Sequence, residues 1–467
     1  MNGHANLKFG GGVSESHMNP VVLVLMLIAI ALMLVLPRKY AVVPFLLGIF
    51  LTPFGQQIYV AGVHLFVPRI LILFGCIRAV LAKISSHEEI ASGGFNAVDT
   101  FFVLLALISS LANVLLFLET QALIYQCGVI WDTIGGYFLL RFLIRDEEDI
   151  LRVIKTFAVV TCVLSVTMLY EKLFDLNVFG FIGGEMKPLL RDGAFRARGT
   201  FQGPIPAGTF AATFLCLFAW LWQSGKARFL GFAGIVGATM MVVTSSSSTP
   251  LLTYLASFLG ISMWPLRKKM RTIRWGILIL LVSLHLVMKA PVWFLINHVD
   301  LIAGNSGYHR AELIDQCVKH FSDWWLIGVK STAVWGWDMW DQANQFTSVA
   351  SGSGLVPLIC FILMLSQAFG RIGSARKIVD GDRKKEWMLW LLGAALFSHV
   401  VAFFGISYND QTLFSWFALL ALVSAGTTPI LAKNFVPEPQ PNLTSSHPRR
   451  AYPRLSTSGS ARVRLPN

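Results

Sequence analysis

Two arginines, Arg196 and Arg198, stand in the stretch "FRARGTFQGPIPAG", directly before an apolar run. Guanidinium forks match phosphate oxygens two bonds at a time. Gly199 and Gly203 allow tight turns, and Pro204 and Pro206 suit a first helical turn. A helix from about Ala207 aims its free amides and positive dipole end at these side chains. The combination reads as an anion site, with Arg191 as a weaker member. The competing explanation is structural: arginines at a span end extend to lipid headgroups.

A second set of reactive types lies between residues 297 and 354. His309 and Arg310 open a segment whose apolar positions Leu313, Ile314, Cys317, Val318 and Phe321 follow helical spacing. That pattern predicts an amphipathic helix on a membrane surface. Trp324, Trp325, Trp335, Trp337 and Trp340 follow. Tryptophans anchor at bilayer interfaces; their faces also stack on sugars, for which Trp337 and Trp340 are the candidates. The sequence "DQANQF" then places Asp341, Asn344 and Gln345 before the next apolar run. A carboxylate beside two amides can serve as general base and hydroxyl binder, with His309 as the second candidate base. Helix capping by Asp341 or Asn344 is the plainer use of the same residues.

Three smaller features accompany these. "TSSSSTP" (244–250) and "SYNDQ" (407–411) are polar turns, and Asp132 lies within an apolar run. A charge inside a span needs a partner, and Arg141 or Lys155 is the expected one.

The elements that position these groups follow from composition. The chain has 467 residues, 55% hydrophobic and 13% charged, with mean hydropathy +0.63. Apolar runs of bilayer-spanning length recur throughout. This predicts an all-α polytopic membrane protein with about thirteen helices, in the range of about 12–14. Runs begin near Val21, Val42, Val67, Val98, Leu123, Leu151, Ala207, Phe229, Leu251, Trp275, Leu355, Trp387 and Leu413. The first is followed by "PRKY" and reads as a span rather than a cleaved leader.

The net charge of +13 comes from short basic clusters between apolar runs, as the positive-inside rule expects. No continuous basic patch points to nucleic acid. With thirteen spans every basic loop falls on one side, which puts the N-terminus outside and the C-terminus in the cytoplasm. Two loops, about 171–206 and 297–354, are long and lie on the outer side. The organisation is therefore a tail at 1–20, a membrane region at 21–432, and a basic, disordered cytoplasmic tail at 433–467. That tail's charge suits contact with anionic lipid. Of six cysteines only Cys317 lies in a long polar loop, and neither a CxxC nor a metal-ligand spacing occurs.

The constellation resembles the O-antigen ligase and O-antigen or exopolysaccharide polymerase superfamily, bacterial membrane glycosyltransferases of the GT-C type, over about residues 150–425. "RARGTFQGPIPAGTF" looks like the family's Arg-x-Gly-Thr-Phe segment. "GYHRAELIDQCVKHFSDWWLIGVKS" is similar to the segment that follows the long-loop arginine. "DQANQFTSVASGSG" stands where ligases carry His-Asn before a Gly-rich helix start. Here Ala343 precedes Asn344, and "SSSST" lacks the arginine of the family's Ser-Arg-Gly turn. "DQANQF" is closer to the polymerase-like version.

The resemblance implies a polyprenyl-pyrophosphate-linked sugar donor presented at the outer leaflet of the bacterial inner membrane. An acceptor hydroxyl attacks the anomeric carbon. Because pyrophosphate is a stable leaving group, neither metal nor cofactor is called for. Arg196, Arg198 and Arg310, with Arg191, would stabilise the charge that develops on it. Asp341 would be the base, and Asn344, Gln345, Trp337 and Trp340 would hold the acceptor. Membrane lipid and other polysaccharide assembly proteins are the implied partners. The alternatives are ligation of glycan to lipid A core or another acceptor, and, in a different class, a lipid-linked oligosaccharide flippase, although the internal repeats common in transporters are not apparent.

Overall fold

A bilayer offers no partner to backbone amides, so apolar spans fold as helices that satisfy their own hydrogen bonds. The computed structural model describes residues 16–60, 63–86, 93–191, 193–299 and 306–433. Helices take up 77% of the structure, which makes the class all-α. The helices are α1 (Pro20–Val35), α2 (Arg38–Phe50), α3 (Val67–Ser86), α4 (Ala97–Phe117), α5 (Thr120–Ile130), α6 (Gly136–Leu143) and α7 (Glu147–Phe174). They continue with α8 (Pro204–Gln223), α9 (Arg228–Ser245), α10 (Ser248–Ser262), α11 (Met270–Val287), α12 (Ser306–Lys319) and α13 (Phe321–Trp324). The last are α14 (Gln345–Ser353), α15 (Leu355–Ile378), α16 (Arg383–Phe403) and α17 (Asp410–Lys433). A π-helical turn at Trp131–Gly135 joins α5 to α6.

Sheet is confined to two antiparallel hairpins. β1 (Gln57–Val60) pairs with β2 (Val63–Phe66), and β3 (Leu189–Arg191) with β4 (Ala194–Arg196).

Each of the thirteen expected runs falls in a helix, but the count of about thirteen spans is not confirmed. Nine helices among the described residues are long and apolar enough to cross a bilayer. The other four fall short for readable reasons. α1, α2 and α10 have 16, 13 and 15 residues, and α3 carries Arg69, Arg78 and Lys83. The terminal segments 1–15 and 434–467, including the expected basic tail, lie outside the described residues.

α17, α8 and α16 form the centre, with 89%, 83% and 72% of their apolar windows buried. Around them Phe50, Phe157, Phe210 and Phe214 form a continuous aromatic stack, with Phe50 and Phe210 centroids 4.8 Å apart. α8 and α9 approach closely because Gly231 has no side chain. A Cβ there would lie 2.4 Å from the Trp222 backbone nitrogen.

One end of the bundle carries the basic loops, held by ion pairs. Arg38 pairs with Asp149 at 3.0 Å, Lys226 with Glu147 at 3.3 Å, and Arg267 and Arg376 with Glu386 at 3.0 and 3.2 Å. Inside the helices the charge pairing differs from expectation. Asp132 is held by Arg69, whose Nε lies 2.9 Å from its Oδ2, while Arg141 pairs with Asp99 at 3.2 Å, both fully buried. Arg69 lies 63 residues away in sequence, so the helix packing, not local spacing, chooses the pair.

Candidate functional site

The polar loops meet at the other end of the bundle, where α7 and α9 finish and α8, α10 and α17 begin. Glu171 is in the last turn of α7 and is fully buried. Its Oε2 accepts from the backbone N–H groups of Arg198 and Gly199 at 3.1 and 2.9 Å. Gly199 has φ +59°, a left-handed conformation that a residue without Cβ adopts freely. Asn177 Nδ2 donates to the Gly199 carbonyl at 2.8 Å. Thr200 Oγ1 donates to the Phe50 carbonyl at 2.7 Å, and the Thr200 carbonyl accepts from the Phe54 amide at 2.9 Å. The 197–200 segment is thereby fixed by four residues, Phe50, Phe54, Glu171 and Asn177.

On this frame the three residues of the arginine stretch diverge. Arg191 ends β3 and is exposed. Arg196 ends β4 and is 8% exposed. Arg198 is half-buried. Its Nη2 donates to the Lys187 carbonyl at 2.8 Å and lies 3.6 Å from the exposed Glu185 carboxylate. An anionic ligand would replace that weak, solvent-facing ion pair.

The expected contribution of the α8 amides is smaller than the sequence reading holds. Gly203 is the N-cap without a side-chain bond, and prolines occupy Pro204 and Pro206. Two of the first three helical residues therefore have no N–H to donate. The dipole remains, but hydrogen bonding to an anion falls to the guanidiniums.

Arg310 joins from the second loop. It lies in the second turn of α12, 5% exposed, and its Nη2 donates to Thr249 Oγ1 at 2.8 Å. Thr249 lies in the first turn of α10, just past the 246–247 turn that links it to α9. The carbonyl of Thr244, on the α9 side of that turn, accepts from the Ala197 amide at 3.1 Å. Lys172 Nζ donates to Ser246 Oγ at 2.9 Å and also to the Phe195 carbonyl. The two long loops thus dock on one hydroxyl-rich turn, through the Ala197 amide from one loop and the Arg310 side chain from the other, while the Arg198 side chain reaches Lys187 and Glu185.

The remaining expected residues scatter. His309 donates through Nε2 to the Asp338 carbonyl at 3.0 Å. Asp341 is exposed, and among the described residues its carboxylate forms no ion pair or hydrogen bond with Arg196, Arg198 or Arg310. Asn344 is fully buried as the N-cap of α14, its Oδ1 accepting from Phe346 and Thr347 at 2.9 and 3.3 Å. That is the capping use, and it commits the oxygen expected to meet an acceptor. Gln345 Oε1 accepts from the Tyr408 amide at 2.6 Å, tying α14 to the 406–409 turn.

The tryptophans divide as well. Trp324 and Trp335 are buried with Leu313, Cys317, Met339 and Ala350, and Trp324 Nε1 donates to the Cys317 carbonyl at 2.7 Å. Trp337 and Trp340 are 94% and 70% exposed. Trp340 borders a small cleft with Lys330, Thr332, Gln342 and Ser351. α12 is correspondingly more than a surface helix. Leu313 and Cys317 pack inward, whereas Val318 and Phe321 of the expected apolar face are exposed.

Glu171 and Thr249, on which the arginine frame depends, are absent from the expected site. Glu171 had one legible signal, a carboxylate at the end of an apolar run. Thr249 sits within a turn readable only as capping. No family model matches the chain, and no curated protein sequence matches it.

Proposed function

We propose that the chain is a membrane glycosyltransferase of the bacterial inner membrane. It acts at the outer leaflet on polyprenyl-pyrophosphate-linked oligosaccharide and polymerises exopolysaccharide or O-antigen repeat units. In this reading the arginine end faces outward and the basic end faces the cytoplasm, following the positive-inside rule. The observation that carries it is the docking of two loops, each with an arginine, on the 244–249 turn.

Arg198 contacts the donor pyrophosphate, and Arg196 and Arg310 add positive charge from the two sides. Preorganised cations aimed at a developing negative charge stabilise the transition state without rearrangement. The acceptor oxygen bonds to the anomeric carbon as the carbon–oxygen bond to pyrophosphate breaks, the electron pair leaving with the pyrophosphate. Asp341 is exposed and free to take the acceptor proton.

The test is polymer sizing in cells that carry only a variant protein. Arg198→Ala and Arg310→Ala should each abolish long chains while the protein accumulates in the membrane. Normal chains from Arg198→Ala overturn the proposal. In a strain lacking the gene, retained single repeats mean a polymerase, unattached long chains a ligase, and repeats trapped at the inner leaflet a flippase.

A further inference from the structure

Beside the arginine frame lies a separate cavity of about 340 Å³ between the ends of α2, α3, α5 and α17. Its size is at the lower end for small-molecule sites, which run from about 300 to 1,000 Å³. Asp132 enters from the π-helical turn, a device that recurs at functional positions because it displaces side chains from the regular helical ladder. Asp410 enters from the start of α17, with φ +46°. A non-glycine residue in that conformation carries backbone strain, which persists where the surroundings hold it.

The charges in the cavity are unequal. Arg69 Nε donates to both oxygens of Asp132, at 3.1 and 2.9 Å, and its Nη1 to the His64 carbonyl at 2.6 Å. Arg69 therefore neutralises Asp132. Among the described residues Asp410 has no ion-pair partner. Gln411 is 5% exposed and donates through Nε2 to the carbonyls of Thr52 and Thr200 at 3.0 and 3.2 Å. Its Oε1 is buried without a hydrogen-bond partner among the described residues. That oxygen is closed off by its surroundings, so the carboxylate of Asp410 is the group that the cavity presents to a donor.

The donors come from a ligand, and the surroundings decide which kind. Phe66, Tyr125 and Phe414 line the same cavity and offer apolar ring faces. A hard cation takes six or more oxygen ligands, and among the described residues no group of three or more His, Cys, Asp or Glu side chains gathers to hold one. Hydroxyls on a compact ring supply donors to Asp410 and an apolar face to the aromatic walls.

We propose that this cavity binds a hydroxyl-rich sugar ring at Asp410. Its position connects it to the arginine frame. Asn409 Nδ2 donates to Gln202 Oε1 at 3.4 Å, and Gln411 bonds the carbonyl of Thr200, two residues after Arg198. Its biological role, as the seat of the acceptor sugar, rests on the glycosyl-transfer reading; the binding itself does not.

The test uses the full chain in lipid nanodiscs, with saturation-transfer NMR against glucose, galactose, mannose, rhamnose and N-acetylglucosamine. At least one should bind. Asp410→Asn, nearly isosteric, should weaken that binding at least tenfold with unchanged thermal unfolding. Val129→Trp, which adds a bulky ring at a position on α5 that lines the cavity, provides the second variant should Asp410→Asn fail to fold. Binding that survives both substitutions, no binding by any sugar, or saturation by sodium ions alone overturns the inference. Arg198→Ala separates the two readings. Asp410-dependent sugar binding with normal polymer from Arg198→Ala upholds the cavity and defeats the transferase reading. Loss of polymer from Arg198→Ala with sugar binding indifferent to Asp410 does the reverse.

Discussion

Glu171→Ala isolates the frame from the chemistry. The wild-type carboxylate is fully buried and accepts two backbone N–H groups, from Arg198 and Gly199. Hydrogen bonds to a charged group are worth about 1.5–3 kcal/mol each, so the substitution should cost roughly 3–6 kcal/mol, nearly all of it local to residues 197–200. At about 1.4 kcal/mol per tenfold change, the amides of Arg198 and Gly199 should exchange about 10²–10⁴-fold faster. Hydrogen–deuterium exchange on the nanodisc-embedded chain reads this directly. Glu171→Gln keeps an acceptor oxygen but not the charge, and neutral bonds are roughly half as strong, so about half the effect should remain. Arg198→Ala removes the side chain while leaving its amide bonded, and should leave the exchange of Gly199 near wild type. If Glu171→Ala folds and its 198–199 amides stay as protected as before, Glu171 does not hold the arginine loop.

Three further outcomes follow from the same structure. Asp99→Leu strands a buried guanidinium at Arg141 and should lower stability by about 3–5 kcal/mol, whereas Asp99→Leu with Arg141→Met should recover most of it; thermal unfolding in detergent checks both. Gly231→Ala should cost about 1–3 kcal/mol or more by forcing α8 and α9 apart, read as loss of folded protein by size-exclusion chromatography. Thr249→Val keeps the shape but removes the hydroxyl between Arg310 and the Gly405 carbonyl, costing about 1–3 kcal/mol, while Thr249→Ser should restore wild-type unfolding.

The apolar runs were legible because helix formation in a bilayer depends on local hydrophobicity, and all thirteen expected starts lie within helices. Span length was less so: α2, with Pro44 inside it, and α10 have 13 and 15 residues, shorter than their apolar surroundings suggest. Arg196, Arg198 and Arg310 were visible as residue types out of keeping with their surroundings. Their supports were not. Glu171, Asn177 and Thr249 act through contacts 22–61 residues away in sequence, and only packing decides such pairs. The Arg69–Asp132 pair has the same origin. The missing amides at Pro204 and Pro206, by contrast, are written in the sequence and needed only the count of N–H groups.

The segment Trp264–Val287, comprising α11 and the turn before it, buries none of its apolar window against the rest of the chain. A helix surrounded by acyl chains on every side is selected for its mean hydropathy rather than for the shape of any one residue. Exchange of leucine, isoleucine and valine along it should be nearly neutral. Among homologues this span should therefore drift fastest in identity, even though it tethers the helix that carries Arg310.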